Sequence, residues 1–322
     1  MGTKIVRFQK DEQIHWGVVN DNAVIALDND SETLADFLQF GIQEAKKKLK
    51  VNNGKMILLD EFDLLSPVTK PANIICQGVN YSQHRKESGM SSGRPAFNMI
   101  FSKLDSSLCG PFETIIQPDH VQLLDYEIEL GLVIGKEITS ELQVTEDNVH
   151  EYIAGLVIGN DVSARDVQLT QLQWLKGKSY RTFCPVGPYF YVMDEDEYGY
   201  LHDLELELKV NGEVRQSANT DQLLFKPTET LTELSQVMEL KPGDLLLTGT
   251  PGGVAMQLTS EEMNCMTSLV ASYEEKKQVI NRQLRLGNYL KEGDVIETSI
   301  YSRDRQIDLG TQRNVVRKMQ FV

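Results

Sequence analysis

Asp125-Tyr126-Glu127-Ile128-Glu129-Leu130-Gly131-Leu132-Val133-Ile134-Gly135 is the stretch whose reading decides the fold. It reads as a strand, in which side chains alternate faces with period two. On that period Glu127, Glu129, Gly131 and Val133 share one face, and Ile128, Leu130, Leu132 and Ile134 share the other. Two carboxylates thus point the same way from an otherwise apolar strand. Held that close, they repel unless a proton or a cation lies between them. A hard divalent ion is the simplest resolution, because Mg²⁺ and Ca²⁺ take oxygen ligands. The alternative is a strand with one solvated acidic face.

A third acid follows the apolar run Leu156-Val157-Ile158, in Asn160-Asp161-Val162-Ser163-Ala164-Arg165-Asp166-Val167-Gln168. Asp161 sits where a short buried strand would end, ahead of a helix beginning near Ser163. By itself it reads equally as a helix cap. Beside Glu127 and Glu129 it becomes a third ligand. Three carboxylates suit an octahedral Mg²⁺ or Mn²⁺ with positions left for water or substrate.

Further segments complete a pattern: Lys178-Ser179-Tyr180, Phe183-Cys184-Pro185-Val186-Gly187-Pro188, Leu240-Lys241-Pro242-Gly243-Asp244 and Thr248-Gly249-Thr250-Pro251. With Tyr126-Glu127-Ile128-Glu129-Leu130 and the Asp161 segment, in this order, the chain resembles the fumarylacetoacetate hydrolase superfamily. The likeness is to its acylpyruvase and 2-hydroxyhepta-2,4-diene-1,7-dioate isomerase branch. The resemblance implies that Glu127, Glu129 and Asp161 hold Mg²⁺ or Mn²⁺, with Ca²⁺ as a third option. It also implies a 2-oxo acid substrate and a homodimer.

The fold expected is α+β and β-rich: a mixed β-roll or sandwich catalytic domain behind a small N-terminal α/β domain. The boundary is placed near residue 70, giving domains 1–70 and 71–322. Residues 3–27 read as strands around an Asn20-Asp21-Asn22 turn, followed by a helix from about Ser31. In the larger part, strands are expected near 74–76, 99–103, 126–134, 156–159, 188–192, 203–210, 213–217, 244–248, 294–300 and 307–316. Asn211-Gly212 is a type I′ hairpin signal. Helices are expected near 146–153, 163–174 and 229–238. A helical insertion covers about 255–290. There Thr259 and Glu262 form a capping-box pair, Met263, Met266, Val270, Tyr273, Ile280 and Leu284 keep helical spacing, and Gly287 ends the helix. It reads as a packed surface helix or as a wall that alters access to the site.

His84 and Glu87 lie three apart, neighbours on one helical turn. A carboxylate beside imidazole raises its basicity and orients it, as a water-activating base requires; the plainer reading is an incidental surface pair. The resemblance makes this segment a lid, with His84 and Glu87 catalytic and Ser88-Gly89-Met90-Ser91-Ser92-Gly93 its mobile loop. It makes Lys178 the active-site lysine, able to bind a carboxylate or stabilise an enolate. Gln168, Thr250 and Lys103 become substrate contacts. Arg181 departs from the smaller or acidic residue common after Lys178-Ser179-Tyr180. His15, His120, His150 and His202 read as incidental.

The 322 residues carry a formal charge of −15, which with no basic tract argues against nucleic-acid binding. No apolar run is long enough for a membrane span. The N-terminus shows no signal-peptide core, so a cytoplasmic protein is expected. Four dispersed cysteines read as buried thiols. The activity expected is a divalent-metal-dependent hydrolase cleaving a C–C bond in a 2,4-dioxo acid of the acylpyruvate or fumarylpyruvate type. The same enolate chemistry would serve an oxaloacetate decarboxylase or a hydroxydienoate isomerase. A catalytically silent binding protein is the reading from another class.

Overall fold

The computed structural model describes residues 2–21, 23–51, 56–58 and 62–319. Asn22 of the expected first turn and Met1 lie outside the described residues. Strands dominate. An eleven-stranded sheet runs Met56–Leu58, Ala23–Ala26, Gln13–Asn20, Thr3–Lys10, Phe190–Val192, Ile153–Asn160, Ile128–Ile134, Leu245–Leu247, Ile74–Gly78 and Met99–Lys103, with Asp63–Leu65 beside Thr3–Lys10. The N-terminal strands are therefore hydrogen-bonded into the catalytic sheet. A five-stranded sheet runs Glu213–Asn219, Leu204–Val210, Val295–Ser302, Asp308–Lys318 and Ile115–Gln117. No helix among the described residues is long and apolar enough to cross a membrane.

Ile128–Ile134 lies near the middle of the large sheet, antiparallel to Ile153–Asn160 on one side and Leu245–Leu247 on the other. All seven of its residues are buried. Ile128, Leu130, Leu132 and Ile134 enter the core shared with Leu206, Ile296, Ile300 and Leu309 of the smaller sheet. Val133 faces the opposite core, with Val157, Leu245, Leu247 and Phe37 of the helix Leu34–Val51. The period-two division is correct, and because both faces are covered, the solvated acidic face is excluded.

The strand starts at Ile128 and not at Tyr126, although Glu127 C=O still accepts the Asp161 N–H at 2.8 Å. Asn211 and Gly212 both have positive φ, 53° and 81°, as the type I′ turn requires. The helix expected over 146–153 is a short 3₁₀ turn, Val149–Glu151, because Ile153 onward is taken by the sheet. The segment 163–174 divides into the strand Ser163–Ala164 and the helix Arg165–Thr170, with a second helix, Leu175–Lys178, after it. Glu195–His202, a 3₁₀ helix, has no counterpart in the sequence reading. The insertion is two helices, not one: Ser260–Thr267 and Tyr273–Leu286, each with its own capping box, and the second ends at Gly287 with φ 74°. Val270, spaced as a helical core residue, lies in the exposed link between them.

Candidate active site

Antiparallel pairing sets the acids. Glu129 lies opposite Gly159, where a Cβ would stand 2.6 Å from Leu247 Cδ2, and Asp161 follows the strand end at Asn160. Oxygens of Glu127, Glu129 and Asp161 all lie within 4.8 Å of one another, and all three residues are buried. Among the described residues this is the one cluster of three such donors close enough to share an ion.

Three buried cations brace it. Lys178 Nζ donates to Glu127 Oε2 at 2.7 Å and to Asp161 Oδ2 at 2.5 Å. Lys103 Nζ donates to Asp161 Oδ1 at 2.5 Å and to Val162 C=O at 3.2 Å. Arg165 Nε donates to Asp125 Oδ2 at 2.9 Å, and its Nη2 lies 2.5 Å from Glu127 Oε1 without hydrogen-bond alignment. Burial works against the Glu127 carboxylate, but Arg165 and Lys178 hold its pKa below the usual value. Burial, then the charges of Asp161 and Glu127, push Glu129 well above it. Its Oε2 accepts from the Gly249 N–H at 2.7 Å. Gly249 has φ 92°, and a Cβ there would stand 2.7 Å from Asn80 Cβ, so only glycine brings that N–H in.

Asp125, Glu127, Glu129 and Asp161 against Lys103, Arg165 and Lys178 leave one buried negative charge unbalanced. It falls on Glu129, which faces two other carboxylates without a cation of its own. An all-oxygen donor set with surplus negative charge fits a hard divalent ion.

A cavity of about 30 Å³ adjoins the acids. Glu127, Glu129, Lys178, Gln168, Thr250 and His84 line it; Asp161, Lys103 and Glu87 do not. Lys103 stands behind Asp161, outside the cavity lining. Thr250 reaches the wall, but its hydroxyl donates to Ile128 C=O at 2.9 Å and accepts from Gln216 Nε2 at 2.8 Å. Gln168 Oε1 accepts from Arg165 Nη1 at 3.0 Å.

His84 is buried on the short helix Ser82–Glu87, and its Nδ1 has no hydrogen-bond partner. Burial, then Arg165 and Lys178, push its pKa well below 6.5, so the ring is neutral. Glu87 does not orient it. That carboxylate accepts from the Gly253 N–H at 2.8 Å and from Gln83 Nε2 at 3.1 Å, so three-residue spacing put the pair on one helix without pairing them. The following loop is also tied down. Arg85 Nε donates to Ser91 C=O at 2.7 Å, and Ser260 Oγ to Gly89 C=O at 2.7 Å. Val79, at the entry to this helix, has φ 46°, a strained state for a β-branched residue and one found at functional sites.

Sequence reasoning passed over Asp125, Arg165 and Gln216. Asp125 accepts from the Ala255 and Met256 N–H groups at 2.8 and 3.1 Å, joining the insertion to Arg165. The signal was an acid and an arginine inside apolar runs, where charge survives only if paired. Cys76, Cys109 and Cys184 are buried free thiols, and burial pushes Cys184 up to about 12.

Comparison with known proteins gives the family. The family model described as Fumarylacetoacetate (FAA) hydrolase C-terminal matches residues 73–317, and one described as Rv2993c-like, N-terminal matches residues 3–67. The mitochondrial oxaloacetate tautomerase Fahd2a of Rattus norvegicus is 39% identical over 229 residues, covering 70% of this chain and 71% of its own. The human mitochondrial oxaloacetate tautomerase FAHD2A is 37% identical over 244 residues, covering 74% and 75%. A fumarylacetoacetate hydrolase from Exiguobacterium antarcticum superposes with TM-score 0.76 at 31% identity, over 98% of this chain and all of its own. A 2-hydroxyhepta-2,4-diene-1,7-dioate isomerase from Mycobacterium marinum superposes with TM-score 0.68 at 26% identity, over 99% and 100%. The matching family model, the relatives and the superposed structures together show that this chain belongs to the fumarylacetoacetate hydrolase family, as an enzyme of keto acids.

Proposed function

We propose that this chain is a divalent-metal-dependent enzyme that interconverts the keto and enol forms of a short 2-oxo dicarboxylic acid of the oxaloacetate class. The observation that carries this over C–C hydrolysis is the Glu87 carboxylate. It accepts from the Gly253 N–H and from Gln83 Nε2 and makes no hydrogen bond to His84, so the pair that a water-activating base calls for is not assembled in this arrangement. Relatives named oxaloacetate tautomerase support the substrate class.

Glu127, Glu129 and Asp161 would hold Mg²⁺ or Mn²⁺, which when bound polarises the 2-oxo group and acidifies the neighbouring C–H. His84 is neutral, and its Nδ1 lone pair or proton is uncommitted. It takes the C3 proton and, as imidazolium, passes it to the 2-oxo oxygen, so that one C–H bond breaks as one O–H bond forms; the reverse transfer regenerates the keto form. Lys178, fixed by Glu127 and Asp161, keeps positive charge beside the developing enol oxygen. Arg165 turns the Gln168 carbonyl toward itself and leaves the amide N–H₂ for a substrate carboxylate. The cavity has room for about two waters, so the lid helix must lift to admit substrate.

Acylpyruvate hydrolysis is the second reading, favoured by the Glu87 position three residues after His84, from which a side-chain rotation would restore the pair. The test is Glu87→Gln, assayed on oxaloacetate by enol absorbance and on acetylpyruvate by release of pyruvate, with and without EDTA. Tautomerisation predicts oxaloacetate turnover that EDTA abolishes and Glu87→Gln changes less than about threefold. Pyruvate release that falls about tenfold or more in Glu87→Gln would favour hydrolysis. A homodimer belongs to the proposal, supported by the exposed Phe97, Leu104 and Phe112; mass by light scattering checks it.

A further inference from the structure

The cavity lining is part charged and part apolar. Glu127, Glu129, Lys178, Arg165, His84 and Gln168 supply the polar part; Met90, Phe101, Trp174, Met256 and Met263 supply the apolar part, the Phe101 ring lying 5.1 Å from Lys178 Nζ. The lining cations Arg165 and Lys178 are both paired with carboxylates. The apolar lining therefore recognises shape and not charge.

Met256 and Met263 come from the insertion, and Met90 from the lid loop. The insertion is fastened to itself and to the body. Arg282 Nη1 donates to Glu262 at 2.7 Å and to Gln257 C=O at 3.1 Å. Gln283 Nε2 donates to Gln257 C=O at 2.6 Å, and Asp125 holds the Ala255 and Met256 N–H groups. Met266, one turn from Met263, is 1% exposed and anchors the helix Ser260–Thr267 in the core. When the lid lifts, Met90 moves with it and Met256 and Met263 stay.

Taking the keto–enol reading as its base, we infer that Met263 sets the upper length of the 2-oxo acid, admitting four-carbon chains and excluding those that run further as an apolar tail. A methionine suits this role because it fills irregular space with a thioether and can be shortened without removing a polar group. Being half-buried, Met263 can be changed at less cost to the fold than Met256.

The experiment measures binding, by calorimetry with Mn²⁺ present, of 2-oxobutanoate, 2-oxohexanoate and 2-oxooctanoate to the full chain and to Met263→Ala, Met263→Leu and Met263→Phe. The parent should lose about tenfold or more in affinity from four to eight carbons, the scale of methylene groups without space in a pocket. Met263→Ala should flatten that dependence to within about threefold, Met263→Leu should retain it, and Met263→Phe should move the loss to six carbons. The same chain-length dependence in all four proteins would overturn the inference, as would a parent that binds the eight-carbon acid best. Deuterium exchange at C3 of oxaloacetate by the parent, measured above the rate without enzyme, tests the underlying reaction separately. Absent exchange with a length dependence that follows Met263 would sink the keto–enol reading and leave the length limit standing.

Discussion

The acid cluster and the lid of this site are built in opposite ways. Glu127, Glu129 and Asp161 are carried by neighbouring strands at the centre of the large sheet, where backbone pairing fixes register and both faces are buried. His84 and the methionine wall are carried by a six-residue helix and a two-helix insertion. A few hydrogen bonds join them: Ser260 to Gly89, Glu87 to Gly253, and the Leu258 N–H to the Glu87 carbonyl. A sheet position cannot shift without a flip of face; a helix held by a few such bonds can lift and return. In the proposed function the chemistry sits on the first, and access to it on the second.

The sharpest way to break this division is to remove Glu129. Glu129→Ala should weaken Mn²⁺ binding by more than about 100-fold with the fold retained, since a ligand should count for more than its outer-shell support. Unchanged calorimetric affinity would move the ion elsewhere. Next is His84→Ala, which should lower kcat by about 10²–10⁴-fold and leave Mn²⁺ affinity alone. A parallel fall in both would mean that the acid cluster and the lid are not separable.

Gly89→Ala probes the latch. Gly89 has φ 73°, and a Cβ would stand 2.7 Å from the Thr259 carbonyl oxygen. A cost above about 1 kcal/mol for the closed lid follows, which would raise KM on oxaloacetate roughly fivefold to tenfold. An unchanged KM would show that the latch does not form in solution.

The smallest effect concerns acid. His84 is held neutral in the fold, first by burial, then by Arg165 and Lys178. Below about pH 6.5 the unfolded chain takes up a proton that the folded chain refuses, so stability falls as pH drops. The sign follows from the lowered folded-state pKa: the contribution is complete above about pH 6.5 and is lost beneath it. The slope from this residue should approach about 1.4 kcal/mol per pH unit and be absent in His84→Gln, read from urea unfolding at several pH values. Equal slopes would place the charged ring in contact with water.

Sequence alone reached the acid cluster because its signals are local. Period two put Glu127 and Glu129 together, apolar residues on the other face made the strand interior, and Asp161 stood at a strand exit. The Asn211-Gly212 turn, the capping boxes at Thr259 and the stop at Gly287 were legible for the same reason: each depends on residues within a turn of one another. Tertiary structure decided what depends on distant partners. The Glu87 carboxylate meets the Gly253 N–H 166 residues away, and Lys103 meets Asp161, 58 residues on and just past a strand end. Arg165 and Asp125 gained meaning only when the fold buried them together, because an ionic group inside a protein is defined by its partner. The insertion kept its helical period in sequence yet broke at Ser268–Ser272, since Val270 had the spacing of a core residue and no core to enter.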